Sequence, residues 1–358
     1  MKEKVVLGMS GGVDSSAAAW LLKEAGYDVE SVTMRFYSAP GTENQANQDA
    51  EDAASVCRIL SIPHRVLDLR EDFRREIINP FCQSYLKGCT PNPCVLCNRR
   101  MKWAALEDIA RETGAAYIAT GHYAGILRLP NGRYTVQRAL YDTKDQTYVL
   151  CQLTQETLSR ILLPLYPYDK PAIRRMAAQL GLPVAEKKDS QDICFIPDGD
   201  HLSFIRQYYP DPSVPGLEPG NFVDTAGQVL GRHEGLARYT IGQRKGLGLA
   251  MGHPIFVTAL RPDANEVVIG ENEDLFTSTL MAGQVNLMGL SEEELRQGSI
   301  RGIGKIRYAH KGTPCSVTFI APDLIRADFD EPVRAVTPGQ SFVLYEGDHI
   351  LLGAVICE

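Results

Sequence analysis

Val5-Val6-Leu7-Gly8-Met9 runs directly into Ser10-Gly11-Gly12-Val13-Asp14-Ser15-Ser16. A short apolar run delivers two consecutive glycines, and the serines then open a helical stretch that Gly26 ends. Strand, glycine turn and helix in that order make an anion site. Glycine accepts positive φ and lets the backbone approach a ligand closely. The unpaired N–H groups of a helix N-terminus, with its dipole, attract negative charge. Ser10, Ser15 and Ser16 add hydroxyl donors, and Asp14 is a candidate ligand for the magnesium that accompanies nucleotide phosphates. The spacing is neither that of a Walker A loop nor the GxGxxG of dinucleotide folds.

Working outward, strand and helix patterns alternate. A strand is predicted over 29–36, a polar surface loop over 38–48, and a helix through Ala50, Ala53, Ala54, Cys57 and Leu60. Pro63 breaks that helix before a strand at 65–69. A helix over 99–112 is capped by Gly114, and a strand at 115–119 leads into Thr120-Gly121-His122. A further strand is read at 133–136, and Asp169 and Gly181 bracket a helix near 171–180. Alternation of this kind implies an α/β fold with a doubly wound parallel sheet, whose ligands sit at the carboxyl ends of the strands. The glycine loop, Met34 and Gly121 are expected to meet there. Pro210, Pro212, Pro215 and Pro219 mark a boundary. Short strands and turns follow, and after about residue 277 the pattern is all β, as in a small barrel. The division expected is 1–204 for the first domain, 205–276 for a small central β-rich domain and 277–358 for a C-terminal β-barrel.

The chain has 358 residues, 44% hydrophobic and 23% charged, enough for two or three ordinary globular domains. No apolar run approaches the ~18 residues of a membrane span, and the N-terminus enters a strand with no signal-peptide pattern. A cytoplasmic protein is expected. Its nine cysteines are then read as reduced, catalytic or metal-binding thiols. The net charge of −7 argues against bulk nucleic-acid binding but permits a local basic face. Arg301, Lys305, Arg307, His310 and Lys311 offer one such face, with Tyr308 for stacking; Arg238, Arg244 and Lys245 offer another.

Cys89-Thr90-Pro91-Asn92-Pro93-Cys94-Val95-Leu96-Cys97-Asn98 holds a CxxC pair. Its prolines predict an extended loop before the helix from about Arg99. The helix N-terminus with Arg99 and Arg100 is expected to lower a thiol pKa toward neutrality, and Lys187 and Lys188 are expected to do the same for the distant Cys194. Three chemistries fit: redox exchange between distant cysteines, an iron–sulfur cluster on the CxxC pair plus one remote cysteine, or zinc on Cys82, Cys89, Cys94 and Cys97. Cys57, Cys151, Cys315 and Cys357 lie among apolar residues and read as packed core thiols, and Trp20 and Trp103 as core.

The opening loop resembles the SGGxDS pyrophosphate loop of the PP-loop ATP pyrophosphatases, which split ATP to AMP and pyrophosphate and adenylate a carbonyl oxygen. SGGVDSS at 10–16, TPNPCVLCN at 90–98, TGHYA at 120–124, KDQTY at 144–148, KKDSQDICF at 187–195 and YTIGQRKGLG at 239–248 occur in one order in one family. The chain resembles the tRNA-specific 2-thiouridylases over nearly its whole length. That resemblance implies a PP-loop (adenine nucleotide alpha hydrolase-like) first domain. ATP, with Mg2+, would be held by Gly8, Met9, Ser10, Gly11, Gly12, Val13, Asp14 and Ser15, with Met34 and Gly121 around adenine and ribose. Asn92, Pro93 and Cys94 would surround the target base. Cys97 would be the catalytic cysteine pairing with Cys194, the persulfide carrier, in a transient disulfide. His122, Lys144, Asp145, Gln146, Arg307, Tyr308 and Gln340 would touch tRNA at its anticodon arm. A cysteine desulfurase or sulfur-relay protein would supply sulfur. Because some such proteins carry Asp where this chain has Cys94, a 4Fe-4S cluster on Cys94, Cys97 and Cys194 is an alternative. From other classes come a small-molecule adenylating synthetase and a metal-stabilised RNA-binding protein without catalysis.

Overall fold

Val5, Val6 and Leu7 are fully buried at the centre of a parallel sheet. The computed structural model describes residues 2–38, 43–141, 144–187, 193–196 and 198–357, with the backbone alone for 43–46. The chain divides into two units. The first comprises Met1–Ile77, Cys94–Phe195 and Asp348–Leu351; the second comprises Ile78–Pro93, Ile196–Gly347 and Leu352–Glu358.

In the first unit, strands β1 (Lys4–Gly8), β2 (Asp28–Arg35), β3 (His64–Asp68) and β4 (Tyr117–Ala119) form a sheet ordered β3-β2-β1-β4, with Ile161–Leu162 at its edge. Every pairing is parallel, for example Val5 with Val29 on one side and with Tyr117 on the other. The chain leaves β1 for one neighbour and returns to the other, so the carboxyl end of β1 is the switch point where α/β sheets bind ligands. Helix α1 (Val13–Glu24) buries Ala17, Ala18, Ala19 and Leu22 in the core with Leu7, Val56 and Leu60. Gly114 caps Trp103–Thr113 at φ 68°, and the Asp169 side chain accepts from the Ala172 N–H at 2.7 Å to start Lys170–Gln179. Trp103 is buried, and Trp20 packs partly buried against the core of Leu7 and Ala17.

In the second unit, Phe256–Arg261, Glu266–Gly270, Gly220–Val223 and Val229–His233 form a four-stranded sheet around Phe222, Tyr239, Val257 and Ile269. A six-stranded barrel follows from Phe276–Leu287 to His349–Ile356. Its first and last strands pair, Ala282 with Ile356 and Leu287 with Leu352, and so close it. The fold is therefore the α/β, doubly wound parallel-sheet domain, central β-rich part and C-terminal β-barrel read from the sequence.

Three local expectations are corrected. Helix α2 (Glu43–Leu60) covers part of the predicted 38–48 loop; residues 39–42 lie outside the described residues. The CxxC pair stands on a helix, Pro93–Cys97, and not on an extended loop. Proline is compatible with a first helical turn, where its missing N–H costs nothing. That helix widens into a π turn at Asn98–Lys102 before Trp103–Thr113, so the helix starts six residues earlier than read. Cys57, Cys151 and Cys315 are buried, but Cys357 follows the last strand and is exposed.

Candidate active site

Gly12 is the N-cap of α1 in extended conformation, and no side chain caps the helix. Its first-turn N–H groups therefore present the donors an anion takes. Gly11 sits at φ 70°, and a Cβ there would lie 2.1 Å from the Asp49 carbonyl oxygen. A Cβ on Gly121 would lie 2.8 Å from the Ser15 nitrogen, and one on Gly8 would lie 3.3 Å from Met34 Cε. Gly8, Met34 and Gly121 thus gather around the loop from Met9 to Ser15. The serines mostly brace it. Ser15 and Ser16 donate their hydroxyls to the Gly12 carbonyl at 3.1 and 2.8 Å, and the Ser10 N–H donates to Ser15 Oγ at 3.2 Å. A hydroxyl has one proton, so Ser16 has none left for a ligand in this arrangement.

Asp14 takes Lys170 Nζ at 2.7 Å on both carboxylate oxygens and the Tyr123 hydroxyl at 2.6 Å. Its charge is balanced by Lys170, and among the described residues no group of carboxylates gathers around it as ligands of one ion. Magnesium that enters with ATP is held chiefly by phosphate oxygens and water.

All nine cysteines are free thiols. Cys97 is 7% exposed, while Cys94 and Cys194 are exposed. Burial pushes the Cys97 thiol up to about 12; Lys102 pulls it down, and the neighbouring Cys194 and Cys94 add to the rise. Burial also raises Cys94 and Cys194 against the pull of Lys102. Water at these two exposed sulfurs weakens that rise, whereas Cys97 feels it in full. The expected lowering toward neutrality is thus overturned. Arg99 donates to Gln152 Oε1 at 3.0 Å, Arg100 pairs with Glu76 at 3.4 Å, and Lys187 is engaged at the phosphate loop. Lys188, with residues 189–192 of the same motif, lies outside the described residues.

The three thiols influence one another, yet among the described residues no three His, Cys, Asp or Glu side chains gather as ligands of one ion. The residues as placed fit neither an iron–sulfur cluster on Cys94, Cys97 and Cys194 nor zinc on Cys82, Cys89, Cys94 and Cys97.

The residues expected to touch tRNA are spread over both units. In the first, half-buried His122 accepts or donates through Nδ1 to Thr120 Oγ1 at 2.6 Å and stacks on Trp103 at 6.2 Å. Burial, aided by Lys102, pulls its pKa down to about 3. Asp145 accepts from the Ala139 N–H and Thr147 Oγ1, and Gln146 Oε1 accepts from the Tyr123 N–H at 2.9 Å, so both shape the loop that Lys144 opens. In the second, Arg307 donates to the Arg334 and Ala335 carbonyls, and Tyr308 is exposed with Lys305 Nζ 6.0 Å from its ring centre. Gln340 Nε2 donates to the Thr90 carbonyl at 2.9 Å, tying a barrel turn to the strand of chain that leads to half-buried Asn92 and buried Pro93. Arg301 and Arg238 are paired with Asp330 and Glu234, which reduces both basic faces; Arg244 and Lys245 are exposed.

Comparison with known proteins places this geometry. The model of the tRNA methyl transferase HUP domain matches residues 3–198, more than half the chain. The tRNA methyl transferase PRC-barrel domain matches 204–271, and the aminomethyltransferase beta-barrel domain matches 277–356. The tRNA-specific 2-thiouridylase MnmA of Lachnoclostridium phytofermentans is 47% identical over 99% of this chain and 100% of its own length. The chain belongs to the tRNA-specific 2-thiouridylase family. A second 2-thiouridylase, MnmA 1 of Clostridium tetani, is 45% identical over 100% of this chain and 97% of its own, and that of Clostridioides difficile is 43% identical over 99% and 98%.

In this 2-thiouridylase three site residues escape a reading of the sequence, and a fourth takes a different role. Lys170 and Tyr123 hold Asp14, Lys102 faces the thiols, and Lys187, expected beside Cys194, binds the glycine loop. Of the three, Lys102 has a local signal. Five residues after Cys97, it shares the Cys97 face only where the helix has π spacing.

Proposed function

We propose that this protein catalyses ATP-dependent transfer of sulfur to C2 of the wobble uridine of tRNA, giving 2-thiouridine, AMP and pyrophosphate. The observation that carries this reading is the presence in one unit of an uncapped glycine-turn helix N-terminus and the neighbouring Cys97 and Cys194 thiols. The family models speak of methyl transfer and the relatives of thiolation; three interacting thiols favour sulfur as the group transferred.

The C2 carbonyl of uracil is a poor electrophile with a poor leaving group. Attack of its oxygen on the α-phosphate of ATP forms the O2-adenylate and releases pyrophosphate onto the N–H groups of Gly12 to Ser15. The terminal sulfur of a Cys194 persulfide then adds to C2, and AMP leaves. The Cys97 thiolate attacks Cys194 Sγ, the sulfur–sulfur bond to the base breaks, and C2 keeps the sulfur. A Cys97–Cys194 disulfide results, which a thiol reductant reopens with two electrons and two protons. Exposed Cys194 is accessible to a sulfur donor such as a cysteine desulfurase or relay protein. Buried Cys97, held protonated, stays quiet until the base arrives and Lys102 favours its thiolate. No step passes through a metal cluster.

The target base must leave its stack to reach such a site, with Asn92, Pro93 and Cys94 around it. The anticodon arm is assigned to His122, Lys144, Asp145, Gln146, Arg307, Tyr308 and Gln340, and the cytoplasm, where thiols stay reduced, to the protein. Residues 1–204 form the proposed ATP-binding and catalytic domain, 205–276 the central tRNA-binding domain and 277–358 the barrel. Purified protein with ATP–Mg, unmodified tRNA and a sulfane-sulfur donor (a cysteine desulfurase with cysteine), analysed by nucleoside mass spectrometry, tests the reading. Formation of 2-thiouridine that Cys97→Ser or Cys194→Ser abolishes is expected; no product under aerobic or anaerobic conditions contradicts it.

A further inference from the structure

We infer that Lys187 is a positioning residue for the phosphate loop, holding the Gly11–Gly12 peptide in the orientation that binds nucleotide phosphates. The inference rests on the ATP chemistry proposed above.

Lys187 Nζ donates to the Gly11 carbonyl at 3.0 Å, to Asp49 Oδ1 at 2.7 Å and to Asp52 Oδ2 at 2.6 Å. An ammonium has three protons, and these three acceptors use them all. A trans peptide is planar with its C=O and N–H opposed. Pinning the Gly11 oxygen on Lys187 therefore turns the Gly12 N–H to the opposite side, where the uncapped start of α1 opens. Gly11 itself sits at φ 70°, with the Asp49 backbone where a Cβ would stand, so no side chain of its own can hold the turn.

Charge supports the same role. Asp49 and Asp52 project from α2 beside a loop meant for anions, and unpaired they would repel a triphosphate. Lys187 offsets them. Its own backbone is fixed as well: Arg174, on Lys170–Gln179, donates to the Ala185 carbonyl at 2.9 Å and the Lys187 carbonyl at 3.1 Å.

The test measures AMP formation by full-length Lys187→Met at saturating tRNA, and inhibition by inorganic pyrophosphate. The expected result is a rise of roughly tenfold or more in KM for ATP and in the pyrophosphate inhibition constant, with KM for tRNA unchanged. Lys187→Arg should fall between Met and wild type. Adding Asp49→Asn and Asp52→Asn to Lys187→Met should recover the electrostatic part of the loss but not all of it. If Lys187→Met fails to fold, the triple variant, which leaves no unpaired carboxylate, is the one measured. Unchanged ATP and pyrophosphate constants in a folded variant overturn the inference. Wild-type protein that makes no AMP overturns the ATP reading instead.

Discussion

Cys97 and Cys194 stand in opposite surroundings, one buried and one exposed. A helix terminus contributes about 0.3–1 kcal/mol, less than one pKa unit, and Arg99, Arg100 and Lys187 are engaged elsewhere, whereas burial shifts a thiol by up to several units. Burial wins at Cys97, which sits near 12. In the free protein, iodoacetamide should therefore modify Cys94 and Cys194 first at pH 8, with Cys97 reacting only as the pH climbs well past 9. Peptide mass spectrometry checks this, and a Cys97 rate that levels off near pH 7 would contradict it. His122 supplies a pH signature of the opposite kind. Its pKa falls from the ordinary 6.5 to about 3 through burial and then Lys102. A depressed histidine contributes stability above the unfolded pKa and loses it as pH drops toward the folded one. His122→Phe, which keeps the ring against Trp103, should flatten the loss of Tm between pH 6.5 and 3 seen in the parent. At this scale the glycine turn was legible in the sequence, and so was the pair Cys97 and Cys194, which the structure brings within electrostatic reach of each other. The cations were not: Arg99, Arg100 and Lys187 stand near cysteines in sequence, but their guanidinium and ammonium groups reach Gln152, Glu76 and the phosphate loop.

Among the elements, the π turn at Asn98–Lys102 matters most. In a regular α-helix a residue five positions on points roughly 140° away. The wider turn brings it back beneath Cys97, which places Lys102 where it lowers all three thiols. Lys102→Met should slow alkylation of Cys94 and Cys194 several-fold at pH 8; an unchanged rate would remove Lys102 from the site. The turn is anchored by buried Asn98, whose Nδ2 donates to the Val149 carbonyl at 3.1 Å. Asn98→Ala should lower stability by about 1–3 kcal/mol in urea unfolding. Helix ends with local signals, Gly114 and Asp169, were readable from the chain. The CxxC helix was not, because prolines that suit a first turn also suit an extended loop.

For the whole molecule, alternating strands and helices revealed the parallel sheet, and β1 between β2 and β4 makes its carboxyl end the place for the phosphate loop. Short β segments revealed the barrel. What no local pattern carries is the interleaving: Ile78–Pro93 joins the later strands while Asp348–Leu351 joins the first unit. Long-range packing decides that, and it splits the residues assigned to tRNA between the units. Among the described residues no helix is long and apolar enough to cross a membrane. In the proposed reaction one ATP is split to AMP for each sulfur delivered from Cys194. A single turnover of persulfide-loaded protein with radiolabelled ATP–Mg and unmodified tRNA tests it most directly. The account predicts AMP and 2-thiouridine in equal amounts, with no 2-thiouridine from Cys194→Ser; ADP in place of AMP, or undiminished product from that variant, would contradict it.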